Sequence, residues 1–292
     1  MKVRVAVATL SLALILPLAV LQPVDARSRV PAQVLAQAEM SLRVQGTITI
    51  QADGTVSAFD LPQARAITTE LAAFVHEQVG NWRFEPLPQA EQMPVALRLV
   101  SRPDADGQGM TVRIAAAHFG DDQALPAAQR LLPQERTPPR YPRDVFSVGG
   151  TGMVLLLLKI GPDGKVIDAG VRQVNLTRAG SEQAMRRIRE RLAQVSLEAA
   201  RKWTYQVPSE GPDAGKPYWV VSVPVNFDLS ATQAPADNRG WQAYLPGPRL
   251  DIPWYQRAAS EHAMALEAMP EDRPTLLDSA TSGPVLKAPL GG

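Results

Sequence analysis

The side chains that most often do chemistry are few in this chain and lie far apart. The sequence has three histidines and no cysteine, so a thiol nucleophile is excluded. His76, His118 and His262 each stand without a second ligand at the spacing that binds zinc. Two carboxylates that are distant in sequence can still meet in a folded chain, which leaves acid–base catalysis open. No motif supports it, so the sequence predicts a non-enzymatic protein without a cofactor or a metal site.

Two glycine-containing motifs have the composition of a ligand loop but the wrong context. Gly149-Gly-Thr-Gly152 precedes a predicted strand, whereas a phosphate loop connects a strand to the helix after it. Asp104-Ala-Asp-Gly107 begins like a calcium loop but lacks the later ligands and the closing glutamate. The first motif is therefore interpreted as a hinge into a second domain, and the second as a turn.

The beginning of the chain has the pattern of a secretory signal. Lys2 and Arg4 precede an apolar stretch at 5–21, and small residues follow at Val24 and Ala26. We expect cleavage after Ala26 and a periplasmic protein. The alternative is an uncleaved inner-membrane anchor, because the stretch is close to the lower limit of about 17 residues for a span.

The composition argues against a nucleic-acid partner. The chain has 30 basic and 29 acidic residues, and the expected signal removes two of the former and one of the latter. The remainder is formally neutral and offers no field that would attract a polyanion.

Two stretches repeat one order of strand, tight turn, strand, helix and aromatic exit. The turns are Asp53-Gly54 and Asp163-Gly164, and Asp-Gly between apolar runs is typical of a β-hairpin. The first helix is expected over 66–81. Trp82 and Trp203 follow the two helices at matching places, which predicts packing in the core for both. The repeat predicts two tandem ββαβ domains in an α+β fold.

The predicted domains leave a proline-rich tail. The chain is predicted to divide into a signal at 1–26, a first repeat at 27–120, a linker at 121–137, a second repeat at 138–230 and the tail at 231–292. The tail contains a short helical pattern over 256–269, and its aromatic residues are Trp241, Tyr244, Trp254 and Tyr255. Two interpretations remain open for the tail, docking onto a domain and disorder.

Five motifs of the second repeat together identify a family resemblance. They are Pro139-Arg-Tyr-Pro142, residues 149–154, Asp163-Gly-Lys-Val166, Ala199-Ala-Arg-Lys-Trp203 and Val223-Pro-Val-Asn-Phe227. Over 138–230 the chain resembles the C-terminal domain of the TonB family, the periplasmic part of the energy transducer that serves outer-membrane receptors. The first repeat is similar through Asp53-Gly54 and residues 82–86 and is interpreted as a degenerate copy.

The resemblance implies a fold and a mode of binding. In the family an antiparallel sheet packs one helix on a face, and its last strand accepts the TonB box of a receptor as an added strand. On this chain the accepting strand would be 218–227. The implied partner-binding residues are Tyr141, Pro142, Tyr218, Val220, Ser222 and Asn226. The implied partner is a TonB-dependent outer-membrane receptor or another envelope protein.

Two departures from the family argue against coupling to ExbB and ExbD. The apolar stretch at 5–21 has no histidine. The segment before the first repeat has about 20 residues and spans at most ~70 Å, which is short for a transducer that reaches the outer membrane. The alternative function is a structural envelope module that forms a homodimer through the same sheet edge. A third is a hydrolase subunit whose active site leaves no sequence motif.

The accepting strand has a regular alternation. Its odd-numbered residues from Trp219 to Leu229 are apolar, which predicts that they face the helix. Pro224 belongs to the even-numbered set and has no N–H to donate, so this set is expected to direct its main chain toward an open edge. Tyr218, Val220 and Ser222 would then form the exposed ladder.

Overall fold

The computed structural model describes residues 32–62, 67–104, 109–121, 124–229, 240–255, 275–277 and 283–287. The fold is mixed α+β and consists mostly of antiparallel sheets with few helices. The expected signal at 1–26 and the helical pattern at 256–269 lie outside the described residues. Within them, no helix is long and apolar enough to cross a membrane.

The described part of the chain contains four α-helices, eleven strands and one 3-10 turn. The helices are α1 (Ala32–Leu35), α2 (Thr69–Gly80), α3 (Arg143–Ser147) and α4 (Glu182–Ala200), and the 3-10 turn is Ala127–Gln129. The first five strands are β1 (Glu39–Ile50), β2 (Val56–Asp60), β3 (Glu91–Pro103), β4 (Met110–Phe119) and β5 (Leu132–Glu135). The others are β6 (Gly152–Ile160), β7 (Val166–Leu176), β8 (Thr204–Gln206), β9 (Trp219–Phe227), β10 (Gln242–Tyr244) and β11 (Thr275–Leu276).

Two large sheets have the same arrangement around their hairpins. The first has the order β10-β1-β3-β4, with β2 also paired to β1, and the second has the order β11-β9-β6-β7. In each sheet the first hairpin strand pairs on one side with its hairpin partner and on the other with a long strand that comes after the helix in sequence, β3 in the first sheet and β9 in the second. A small ribbon of β5 and β8 completes the described sheets.

The two hairpin turns have the same hydrogen bonds. Gly54 and Gly164 have φ of 84° and 76°, a region that favours glycine. The carboxylate before each glycine accepts the main-chain N–H of the residue after it, at 2.9 and 3.1 Å. The carbonyl oxygens of Gly54 and Gly164 accept the N–H of Phe84 and Tyr205, both at 2.8 Å. Each turn is therefore tied to the segment that leaves its helix.

The long helix α4 begins at a capping serine and packs one stripe of side chains against the core of the second sheet. Ser181 caps it, since its hydroxyl accepts the N–H of Ala184 at 3.2 Å. Met185, Ile188 and Leu192 form the buried stripe. The odd-numbered residues of β9 lie in the same core and are Trp219, Val221, Val223, Val225 and Phe227. The prediction that this set faces the helix is confirmed.

Both predicted core tryptophans are buried. Trp82 is 5% exposed and Trp203 is 2% exposed. The indole N–H of Trp203 donates to the carbonyl of Thr137 at 2.8 Å, and the guanidinium of Arg136 lies 5.0 Å from its ring centroid. The indole nitrogen of Trp82 is buried without a hydrogen-bond partner among the described residues.

The segment predicted as a linker belongs structurally to the second half. Its residues 132–135 form β5, which pairs with β8 after helix α4. Leu131 packs against the core of the second sheet. The interval 121–137 therefore holds a strand where an independent linker was expected.

The described parts of the tail dock onto both sheets. Tyr244 of β10 pairs with Glu39 of β1, and the next residue, Leu245, exchanges main-chain hydrogen bonds of 2.7 and 3.0 Å with Leu176 of β7. The guanidinium of Arg189 on α4 donates to main-chain carbonyls on both sides of this junction. For these segments the docking interpretation is correct.

Candidate functional site

The candidate site is the side of β9 that faces away from β6. Pro224 lies opposite Leu155 of β6, and its carbonyl on the far side accepts a hydrogen bond from Arg136 at 3.0 Å. The carbonyl of Val220 points the same way and accepts the N–H of Leu277 at 2.9 Å. The even-numbered residues therefore direct main-chain groups away from β6, as the position of the proline predicted.

A strand from the tail already occupies part of this edge. Thr275 and Leu276 of β11 pair antiparallel with Ser222 and Val221. Thr275 and Leu277 are 5% and 1% exposed, so the added strand also buries its side chains. The edge that was predicted to take a foreign strand holds one from the same chain.

The prediction that Val220 and Ser222 form an exposed ladder is wrong. Val220 is 4% exposed and Ser222 is 0% exposed. Val220 and Leu157 form an apolar patch on the sheet face opposite α4, and Ile252 and Leu277 of the tail cover that patch. Burial on this face follows from tail docking, which the alternation within β9 could not reveal.

The covered serine has a polar atom without a partner. The hydroxyl oxygen of Ser222 is buried and makes no hydrogen bond within the described residues. A buried hydroxyl that is unpaired costs about 1–3 kcal/mol. The residue therefore does not stabilise the closed arrangement through its side chain.

The two ends of the edge remain accessible. Tyr218 is 39% exposed, and the ammonium of Lys159 lies 4.0 Å from its ring centroid. Asn226 is exposed near the other end. Eight steps along an extended strand separate these two residues by about 26 Å.

Tyr141 and Pro142 are placed at the Asn226 end, next to the last residue of β9. The ring of Tyr141 meets Phe227 edge-on at 5.4 Å between centroids, and its hydroxyl donates to the carbonyl of Gly150 at 2.5 Å. Burial raises the pKa of Tyr141 to about 12, so the hydroxyl remains a donor at neutral pH. Pro142 is buried and precedes α3. Both residues fix the approach to α3.

The six predicted contact residues thus divide into two groups. Tyr218, Val220 and Ser222 lie at the end that β11 occupies or adjoins, and Asn226 lies with Tyr141 and Pro142 at the other. A single extended segment of about eight residues would have to run along β9 to meet both groups.

Sequence reasoning missed several residues of this surface. Arg136 gave no sequence signal, because its contact with Pro224 spans a large part of the chain. The sequence signal for β11 is slight, because Thr275 and the two leucines that follow it in the proline-rich tail are too few to establish a strand period. Phe146 of α3, 58% exposed, packs edge-on against Tyr141 at 5.7 Å and extends the surface beyond the end of β9.

The described carboxylates with shifted pKa values belong to the hairpin turns. The hydroxyl of Thr55 holds the pKa of Asp53 below its usual value, and the main-chain N–H of Lys165 does the same for Asp163. Among the residues with described positions, no group of three or more His, Asp or Glu could hold a metal ion. His76 packs edge-on against Phe59 at 5.1 Å.

Comparison of the chain with protein-family models, with curated proteins and with solved structures gives no match.

Proposed function

We propose that the second half of this protein is a TonB-like ββαβ module that binds a partner polypeptide as an added strand on β9. The partner would be the TonB box of an outer-membrane receptor or a segment of another envelope protein, and the protein would act in the periplasm in transport across the outer membrane. The pairing of β11 with β9 carries the proposal, because it uses the main-chain groups that strand addition requires.

The tandem ββαβ organisation is part of the proposal. Its support is the shared strand order around β1 and β6 together with the matching hydrogen bonds of Gly54 and Gly164. The first half would be a degenerate copy that keeps the scaffold.

A difference between the two sheets favours the second as the binding module. In the first sheet the far side of β3 pairs with β4 over all of 95–103. In the second, the described residues place only the two-residue β11 on the corresponding side of β9. We infer that the first copy carries its fourth strand permanently, whereas the second has a short and replaceable occupant.

Replacement of β11 requires a modest free energy. The strand makes few ladder hydrogen bonds, each with a net value of about 0.5–1.5 kcal/mol. Burial of the Leu277 side chain adds about 1.5–3 kcal/mol. A partner strand that pairs along most of β9 makes more of the same contacts and can therefore compete.

The test uses tail variants of the full chain and calorimetric titration with peptides. Leu277→Asp places a charge in the covered patch and should release β11. Affinity for a synthetic peptide from a TonB-dependent receptor's N-terminal segment should then rise roughly tenfold to a hundredfold, since each 1.4 kcal/mol is tenfold. Val285→Asp is the matched control, because this tail side chain is 40% exposed.

A second peptide makes the test independent of which receptor supplies the partner strand. A peptide with the sequence of residues 271–280 should bind in trans to a chain that ends at residue 255. If neither peptide binds any of these proteins, strand addition at β9 is wrong. If the shortened chain instead dimerises in sedimentation experiments and still binds no peptide, the homodimer alternative replaces the proposal.

A further inference from the structure

Arg136 places a cationic group at the outer edge of β9. The residue follows β5, and its guanidinium donates a hydrogen bond to the carbonyl of Pro224 at 3.0 Å. The same guanidinium lies 5.0 Å from the ring centroid of Trp203. The side chain is half-buried. These two contacts hold the charge beside the main-chain groups that an added strand would pair with.

Neither contact neutralises the charge of Arg136. A carbonyl oxygen and an indole ring carry only partial negative charge, whereas a guanidinium carries a full positive charge at any physiological pH. Within the described part of the chain, no carboxylate forms an ion pair with Arg136. Its chain neighbour Glu135 is exposed. The half-buried cation therefore has a neutral acceptor where a carboxylate would bind more strongly.

The positive charge of Arg136 acts on the interior of the second half as well. Burial raises the pKa of the Tyr205 hydroxyl to about 12, and the charge of Arg136 opposes this rise. The hydroxyl itself is buried and has no hydrogen-bond partner among the residues whose positions are described. A carboxylate brought to Arg136 from outside would thus meet an attractive field.

A strand that extends along β9 meets Arg136 at Pro224. The carbonyl of Val220 accepts the N–H of Leu277 at 2.9 Å, and Ser222 lies opposite Thr275. The Pro224 carbonyl faces the same side, but Arg136 donates to it. An antiparallel strand that continues past Ser222 places its own main-chain donor opposite this carbonyl. The guanidinium must then leave its acceptor, which is unfavourable unless the strand supplies another one.

The direction of β11 determines which end of a partner reaches Arg136. Thr275 pairs with Ser222 and Leu276 with Val221 in antiparallel register, so residues that precede the paired ones in a bound strand extend toward Pro224. In the sequence, Glu271 and Asp272 come shortly before Thr275. The segment of this chain that pairs with β9 is thus preceded by acidic residues.

We propose that Arg136 selects partner segments in which acidic residues come directly before the residues that pair with β9. The inference rests on the strand addition proposed for this edge. A carboxylate accepts paired hydrogen bonds from a guanidinium, so it replaces the lost carbonyl and neutralises the charge at the same time. Basic residues at this place in a partner would be rejected, because like charges repel.

The test compares two peptides on the full chain with Leu277→Asp, which opens the edge. Both are acetylated peptides of residues 271–280 with a dye at the carboxyl end, and one has Glu271→Gln and Asp272→Asn. Fluorescence anisotropy should show that the acidic peptide binds about tenfold more tightly. This preference should shrink when sodium chloride rises from about 0.05 M to about 0.5 M, because salt screens partly exposed charges.

Variants of Arg136 in the same chain assign the preference to this residue. Arg136→Gln should weaken binding of the acidic peptide to the level of the neutral one. Arg136→Lys should keep part of the preference, since it keeps the charge but loses the paired hydrogen bonds. Arg187→Gln is the matched control, because Arg187 is exposed on α4, and it should keep the full preference. Circular dichroism checks that each variant is folded. If Arg136→Gln does not fold, Arg136→Lys and the salt dependence still test the proposal.

Two results would overturn the inference and leave strand addition intact. One is equal binding of the acidic and neutral peptides to the opened chain. The other is an unchanged preference in the Arg136→Gln chain, which would place the recognition of acidic residues elsewhere. Failure of both peptides to bind would instead contradict strand addition at β9, and the inference with it.

Discussion

At the scale of single residues, the Asp-Gly turns show most clearly where the fold requires a glycine. Gly164 has φ of +76°, and a β-carbon there would lie 2.0 Å from the Tyr205 carbonyl oxygen. We predict that backbone strain at this positive φ makes Gly164→Ala lower the free energy of unfolding by about 1–3 kcal/mol. The clash with the Tyr205 carbonyl adds to this loss, because β8 must move to relieve it. Gly80→Ala is the control, since no described residue outside its own helix turn and chain neighbours has an atom within 4 Å of that β-carbon. It should be neutral or stabilise by up to about 1 kcal/mol. Urea unfolding measures the free energy of unfolding of both variants, and equal changes in the two would contradict the special requirement for glycine at position 164.

The two tryptophans differ in what their indole nitrogens contact. Replacement of either by Ala should cost about 3–5 kcal/mol. Trp203→Phe also deletes the hydrogen bond to Thr137, whereas Trp82→Phe removes a buried N–H that has no partner among the described residues. We therefore predict that Trp203→Phe costs about 1–2 kcal/mol more than Trp82→Phe. Paired denaturant titrations measure the difference, and the opposite order would show that packing outweighs the hydrogen bond.

Much at this scale could be predicted because it depends on near neighbours in sequence. The positive φ of Gly54 and Gly164 follows from the Asp-Gly pair, and the burial of Trp82 and Trp203 follows from their place after an amphipathic helix. Burial of Ser222 could not be predicted. It depends on Thr275 and Leu277, which are distant in sequence and carry no periodic pattern.

At the scale of elements, the first half indicates how β9 tolerates proline. Counted from the turn glycines, Thr47 and Leu157 hold equivalent positions, and their partners across the ladder are Pro94 and Ser222. A proline at the place of Ser222 is thus already present in β3. Since the main chain of Ser222 faces away from β6, its N–H is not needed by the sheet's interior pairing.

We therefore predict that Ser222→Pro leaves the domain folded but abolishes strand addition. Val221→Pro should unfold the domain, because that residue shares its main-chain orientation with the odd-numbered set that pairs with β6. Circular dichroism and titration with the peptide of residues 271–280, both in the chain that ends at residue 255, measure the two effects. An unfolded Ser222→Pro chain would mean that this side of β9 is required for folding.

The long elements were predictable, and the short tail strands were not. Helix α4 and strand β9 show their buried faces as regular spacings of apolar residues. Strands β10 and β11 have three and two residues, too few to establish any period. Their pairing is decided by the edges of β1 and β9, which the local sequence of the tail does not describe.

At the scale of the whole molecule, the described segments of the tail contact both sheets. After β10 pairs with β1, Leu245 pairs with Leu176 of the second sheet. Strand β11 then lies on β9 of the second sheet, and Leu286 pairs with Phe84 of the first. Each contact is small, but together they connect both cores, so the two halves are expected to unfold as a coupled unit.

The contact at Gly247 offers the sharpest test of this coupling. A β-carbon there would lie 2.2 Å from the carbonyl oxygen of Val174, so Gly247→Ala should push the tail away from β7. We predict faster hydrogen exchange of the β7 main-chain amides in this variant. We also predict a thermal unfolding transition that broadens or separates into two, because the halves lose a shared segment. Gly240→Ala is the matched control in the same part of the tail, where, apart from its chain neighbours, no described residue has an atom within 4 Å of the added carbon. A single unchanged transition in the Gly247→Ala chain, with β7 still protected, would mean that the halves are joined by other contacts.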